Sequence, residues 1–325
     1  KSINDLTYQD INIVPQASKF VSGAGDPGRN TYLSGTKGYS SAFTNVILMK
    51  NTSKGYQYNI TAQVQGTLPM GLYTNIAYTY TRAKDLNSTI SSQAYSQWRY
   101  NPIANDPNNP DLATSNFEIR NRILVAVSYT AEFFTNYRST FTLFYNGQSG
   151  LPFSYTYDGD VNGDGQTSND MIYIPKNATD PSEIQVGSIA TGTKAFVADP
   201  AMAQALENYI QRDNYLKEHR GEIMERNGAN VPWTNQVDFR FVQEIPLIAG
   251  HRFEVSLDVL NLPNLLNSKW GWIKSVNNQN DSVIKLQGTD ANKRPVFSFK
   301  DKPDPFQNDN LNSRYQMQLG ARYSF

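Results

Sequence analysis

The stretch YQYNITAQVQGTL, residues 56–68, carries the period that decides the fold. Tyr56, Tyr58, Ile60, Ala62 and Val64 alternate with Gln57, Asn59, Thr61, Gln63 and Gln65. A two-residue repeat of this kind belongs to a strand with one apolar face. Pro69-Met70-Gly71 then turns the chain into LYTNIAYTYTR, where Leu72, Ile76, Tyr78 and Tyr80 return on one side. The pattern recurs at Ile123, Val125, Val127 and Tyr129, and at Phe141, Leu143 and Tyr145. It recurs again at Val237, Phe239 and Phe241, and at Phe253, Val255, Leu257 and Val259. The seventh instance is RYQMQLGARYSF, residues 314–325, with Tyr315, Met317, Leu319, Ala321, Tyr323 and Phe325 on one side.

Charge keeps to the other side. Arg122, Arg138, Asp238, Arg240, Glu244, Arg252, Glu254, Asp258, Arg314 and Arg322 all fall on the polar face, and only Arg82, at a strand end, falls on the apolar one. A charge facing lipid at the bilayer midplane costs ~2–4 kcal/mol, so a lipid boundary enforces such segregation. A soluble sandwich segregates charge as well, but it places Lys on exposed strands and edges. The seven periodic segments contain no Lys. The polar face, rich in Gln, Asn, Thr and Arg, suits a hydrated lumen, and the charges named above are expected to face it.

The composition agrees. Only 39% of the 325 residues are hydrophobic, yet 12% are aromatic, with 20 Tyr and 16 Phe. The 29 basic and 29 acidic residues cancel, which gives no electrostatic case for nucleic acid. Without Cys, disulfides and thiolate metal sites are excluded. No apolar run approaches the ~18 residues of a membrane helix. No signal peptide is visible at KSINDLTYQD.

Short links (69–70, 132–136, 246–251) alternate strictly with long ones (83–118, 149–233, 263–312). Tight periplasmic turns and large external loops alternate in this way in outer-membrane barrels. The final strand descends to the periplasm, and counting back, 56–68 descends too. AFTNVILMKN, 42–51, reads as the external extension of that strand, and DLTYQDINIV, 5–14, as the ascending strand before it, giving about eight strands. The whole chain, 1–325, is then one partial barrel, all-β and antiparallel. Its loop at 149–233 is expected to carry a helix over about 200–226, opened by Asp199-Pro200, broken at Gly221 and stopped by Asn227-Gly228.

Several residues invite chemistry. Within YDGDVNGDGQTSND, 157–170, Asp160, Asn162 and Asp164 with Gly165 follow D-x-N-x-D-G, the opening of a calcium loop. A register from Asp158 gives D-x-D-x-N-G instead. Neither supplies the closing bidentate Glu: from Asp160, position 12 is Met171 and Asp170 falls one short, while from Asp158 it is Asn169. A Gly/Asp-rich external turn is the alternative reading, so Ca²⁺ stands as one option and no cofactor is required. His219 and His251 are the only histidines and lie on opposite sides of the membrane in this topology. No nucleophile triad, phosphate loop or carboxylate pair is evident, so an enzyme is not expected. Tyr56, Tyr58, Tyr78 and Tyr80 at the external ends, with Phe133, Phe134, Tyr137, Tyr323 and Phe325 at the periplasmic ends, form two interfacial girdles. Tyr95, Trp98, Tyr100 and Trp233, on external loops, either stack a ligand such as an oligosaccharide or pack between loops.

Longer motifs resemble a known family. EIRNRILVAVSYT and FYNGQSGLPFSYTYDGDVNGDGQTSNDMIYIP are similar to the C-terminal barrel of TonB-dependent outer-membrane receptors of the SusC/Oar-like, carboxypeptidase-regulatory-like branch. YLKEHRGEIMERNGANVPWTNQVDFRFVQEIP, DVLNLPNLLNSKWG, and NTSKGYQYN with YSQWRYNP share the likeness, which spans residues 42–325. The resemblance implies a barrel of about 22 strands around a plug. It implies import of a glycan, peptide or chelate, energised by TonB through an N-terminal part not in this chain. It also implies a surface lipoprotein lid as a partner. Tyr315, Met317, Leu319, Tyr323 and Phe325 then resemble the signal read by the barrel-assembly machinery. Two readings compete: a self-contained small barrel serving as anchor or adhesin, and a soluble β-sandwich that binds carbohydrate.

Overall fold

The computed structural model describes residues 5–302 and 305–325. Seven long strands dominate it: β1 (Tyr56–Leu68), β2 (Leu72–Asp85), β3 (Asn121–Phe134), β4 (Tyr137–Gln148), β5 (Thr234–Pro246), β6 (Arg252–Leu260) and β7 (Gln316–Ser324). They pair antiparallel in chain order as one sheet, with the short strand Ala113–Thr114 added at the end of β2. Most are long enough to cross the ~25 Å apolar band at a tilt.

Register makes the apolar face continuous. Leu72, Tyr129, Phe141, Phe241, Leu257 and Leu319 stand opposite one another in a row across six strands. Among the described residues nothing covers that face on the two outermost strands, where Val64 is 76% and Leu319 78% exposed. On the opposite face, hydroxyl pairs cross the ladder at Thr61–Thr79, Ser128–Thr142 and Thr130–Thr140, each at about 3 Å. The short connections turn through left-handed residues, Met70 and Gly71 in the first and Asn136 in the second, which lets two strands reverse within two or three residues.

The buried core lies elsewhere. It is drawn entirely from the long external connections, with Phe153, Tyr155, Ile172, Leu206, Ile210 and Phe297 among its members. These connections fold into a cap around a six-stranded sheet. Its strands, in spatial order, are 196–198, 185–189, 295–299, 280–289, 152–158 and 229–230. Two of its pairings, 152–158 with 280–289 and 185–189 with 295–299, are parallel.

The helix expected over 200–226 is shorter and breaks earlier. It runs Pro200–Arg212, with Asp199 accepting a bond from the Met202 amide, and buries Ala203, Leu206, Tyr209 and Ile210. Asp213, in extended conformation, ends it because its carboxylate accepts from the Tyr215 and Leu216 amides and so caps a second helix, Asn214–Glu218. Gly221 lies beyond both helices, in a turn, with φ +84°.

The strand expected over 5–14 is also corrected. Asp5–Asp10 pairs antiparallel with Ile47–Thr52, the extension ahead of β1, and goes no further. Asp10 ends it by accepting bonds from the amides of Asn12 and Val46 and from the Asn45 side chain. Alongside β1 itself there is no eighth long strand among the described residues. β2 runs to Asp85, two residues past Ala83, so it includes Lys84; that lysine stands at the external end, opposite Tyr56.

Candidate functional site

The polar face of the sheet holds the charges assigned to it by alternation, and most are matched. Arg240 faces Asp258 across β5 and β6 at 3.4 Å, and Arg252 approaches Glu244 at 3.9 Å. Glu254 stands opposite Arg322 on one side and Glu244 on the other. Arg138 pairs with Glu132 at 3.1 Å, Arg122 donates to Asn146, and Asp238 accepts from the Asn261 amide. Arg314 lies two residues ahead of β7, in phase with its polar face. Arg82, the exception, is drawn to Glu118, a buried carboxylate that also takes Arg120 and the Ala83 amide.

The girdles form as rows of tethered rings. At the external end Tyr58 and Tyr80 meet at 6.3 Å, Tyr78 donates to Asn121, and Tyr145 donates to Asn235. Trp233, the last residue of the connection before β5, donates to that same Asn235. At the other end Tyr323 lies 2.7 Å from Nδ1 of His251 and stacks on its ring. Met317, Leu319 and Tyr323 lie on the apolar face of β7, with Tyr315 and Phe325 just outside its ends. His219 stacks on Tyr215 within the cap, so the two histidines share no site.

Of the loop aromatics, Trp98 is buried, donates to Asn108 and stacks on Tyr95, which in turn bonds Gln166. Those two rings pack loop against loop. Tyr100 keeps an exposed face, with the Arg99 guanidinium 5.0 Å above its ring. Where cap meets wall there is a cleft of about 740 Å³, bordered by Arg82, Lys84 and Arg120 from the wall and by Arg212, Tyr215 and His219 from the cap. The junction is pinned by Arg226, whose guanidinium pairs with Asp85 at 2.7 Å, and by Asn227, which donates to Thr114 and Asn116.

The Asp/Asn/Gly loop is built into this cap. Asp160 accepts from the Gly163 and Gly165 amides, Asn162 from the Asp164 amide, and Asp164 from the Gln166 amide. Gly163 and Gly165 take φ of +81° and +88°, which these tight reversals need. Asp158 does not join: it faces outward, 3.6 Å from Lys285. Asn169 and Asp170, set aside by strict twelve-residue spacing, do join. Asn169 donates to Asp164, and Asp170 accepts from the Val161 amide while facing Arg29 at 3.7 Å. Burial pushes the Asp164 carboxyl up to about 6, and burial only partly offset by Arg29 pushes Asp170 up to about 8.

A two-faced sheet with an uncovered apolar side and a capped outer end is the geometry of a membrane wall. A family model described as an outer membrane beta barrel domain matches residues 1–292. The chain belongs to that family. No curated protein matches the sequence. No helix among the described residues is long and apolar enough to cross a membrane. This outer-membrane barrel protein crosses with strands, and the soluble-sandwich reading falls with that assignment.

Proposed function

We propose that this chain is wall and external capture surface of a TonB-dependent importer of the SusC/Oar-like kind. The observation that carries the reading is the pair of unpaired sheet edges: β1 and β7 each have one long neighbour among the described residues. A free row of backbone donors and acceptors is intolerable in hydrocarbon, and bacterial single-chain barrels have even strand numbers. Seven strands therefore call for further strands, and a larger barrel encloses a lumen wide enough for a plug and a solute. The cap and its cleft would meet the ligand first, a lipoprotein lid would close over it, and TonB would drive release through the lumen.

The denatured mass of the native polypeptide extracted from outer membranes tests this. A mass far above the 36.6 kDa of these 325 residues is the expected result. A mass of 36.6 kDa would remove the importer reading and leave the self-contained barrel.

A further inference from the structure

The external cap contains an oxygen-rich loop, 160–170, in which Arg29 pairs with Asp170 but no cationic side chain among the described residues pairs with Asp160 or Asp164. No three His, Cys, Asp or Glu side chains converge among the described residues, so any cation site must draw on amide oxygens. The loop at 160–170 is where they gather. Oδ2 of Asp164 is the meeting point of two amides, those of Asn162 at 3.3 Å and Asn169 at 3.0 Å. Asn162, Asp164 and Asn169 are all at least 96% buried. The side-chain oxygen Oδ1 of Asn169 has no hydrogen-bond partner, and neither has Oδ1 of Asp170. The one guanidinium beside the loop, Arg29, pairs with Asp170 rather than with Asp160 or Asp164.

Amide oxygen and nitrogen exchange places by a half-turn of the side chain. Turning the Asn169 amide would bring its orphaned carbonyl oxygen to the Asp164 carboxylate, while Asn162 keeps its own oxygen on the Asp164 amide. That arrangement is repulsive when empty and favourable around a hard cation. Ca²⁺ takes six to eight oxygens in flexible geometry, whereas Mg²⁺ demands a near-ideal octahedron and gives up its water reluctantly.

We infer that this loop is a calcium site that locks the external cap, with Asp160, Asn162, Asp164 and Asn169 as side-chain ligands, while Asp170, engaged by Arg29 and the Val161 amide, braces the loop from beneath. The loop joins the strand 152–158 to the segment that returns beneath it: the Tyr157 amide donates to the Asp170 carbonyl and the Ile172 amide to the Tyr155 carbonyl. A cation here would therefore fix the strand 152–158 of the cap sheet. Affinity in the range of extracellular calcium modules, Kd ~10⁻⁴–10⁻³ M, is expected of so few carboxylates.

The test uses the full polypeptide purified from outer membranes in detergent and stripped with a chelator, titrated with CaCl₂ by calorimetry. One Ca²⁺ per chain should bind. Asp164→Asn should weaken binding at least about tenfold, while Asp158→Asn should leave it unchanged. Asn169→Asp, which adds a carboxylate at a ligand position, should tighten binding, a result that mere damage to folding would not give. Terbium offers a second readout on the unaltered chain: its emission should be sensitised by the nearby Tyr95 and Trp98 and lost when added calcium displaces it. No saturable binding up to ~10 mM CaCl₂, or binding indifferent to both Asp164→Asn and Asn169→Asp, would overturn the assignment.

Discussion

Arg29 and Asp170 face each other at 3.7 Å with no side-chain surface exposed in either. Arg29 also donates to the Met171 carbonyl and lies over the rings of Phe20 and Tyr157. It comes from a hairpin of Pro15–Phe20 with Arg29–Tyr32, and it ties that hairpin into the cap at the loop 160–170. Removing one partner of a buried pair strands the other charge, at a cost of about 3–5 kcal/mol. Arg29→Ala should therefore lower the denaturation midpoint of the cap well before that of the sheet. Urea titration followed by Trp98 fluorescence checks this; a change within about 0.5 kcal/mol would show that the pair carries little.

The same loop sets a pH dependence. Asp164 and Asp170 titrate in the folded cap near 6 and 8, above their ordinary range, because burial disfavours the charged forms. The folded state then holds more protons than the unfolded state between about pH 4 and 8. Stability is full below the unfolded value and falls as pH rises through the folded ones. In chelator, the cap should lose stability steadily from about pH 4 to pH 8, and saturating calcium should flatten that slope. Thermal melts at fixed ionic strength measure it, and a stability that rises over this window in chelator would contradict the argument.

The two faces of β1 make opposite predictions for the same substitution. Val64 lies on the uncovered apolar face near the middle of its strand, whereas Gln63 next to it bonds Asn75 on the polar side. Val64→Arg should cost ~2–4 kcal/mol near the midplane, and Gln63→Arg should stay within about 1 kcal/mol. Equilibrium unfolding from lipid vesicles distinguishes them. Equal costs would mean that the face of Val64 is not against hydrocarbon.

The wall was legible in the sequence because lipid allows only one compromise, strict alternation, and because the residues that break it sit at strand ends. Arg82 is such a case, explained once Glu118 is seen folded beneath it. The cap was not legible as a sheet. Its strand 152–158 is buried on both faces except at its last residue, so Phe153, Tyr155 and Tyr157 alternate with hydroxyl residues that are just as buried. Its parallel partner lies some 120 residues away, as Ser154 pairing with Asn280 shows, and no local pattern announces such a pairing. The loop 160–170 was half legible: D-x-N-x-D-G is visible, but Asn169 and Asp170 join it through folding rather than through twelve-residue spacing. Stacking on a ligand and packing between loops both stood open for Trp98, because exposure cannot be read from a loop's composition; the ring is in fact buried.

The clamp between cap and wall gives the last prediction. Arg226, nearly buried, pairs with Asp85 at the external end of β2, and Ser88 accepts a longer bond from it. Neither residue belongs to the hydrophobic core, so the pair serves the junction rather than either unit. Arg226→Met keeps most of the side-chain volume but leaves Asp85 facing the junction without its cation. The cap should keep its own fold yet exchange amide hydrogens faster at 227–231 and 113–116, where Asn227 bridges to Thr114 and Asn116. Adding Asp85→Asn should restore part of the protection, because the double change removes both charges and leaves none buried alone. If Arg226→Met instead raised exchange throughout 152–158, the pair would be holding the cap together internally, and the junction would depend on other contacts.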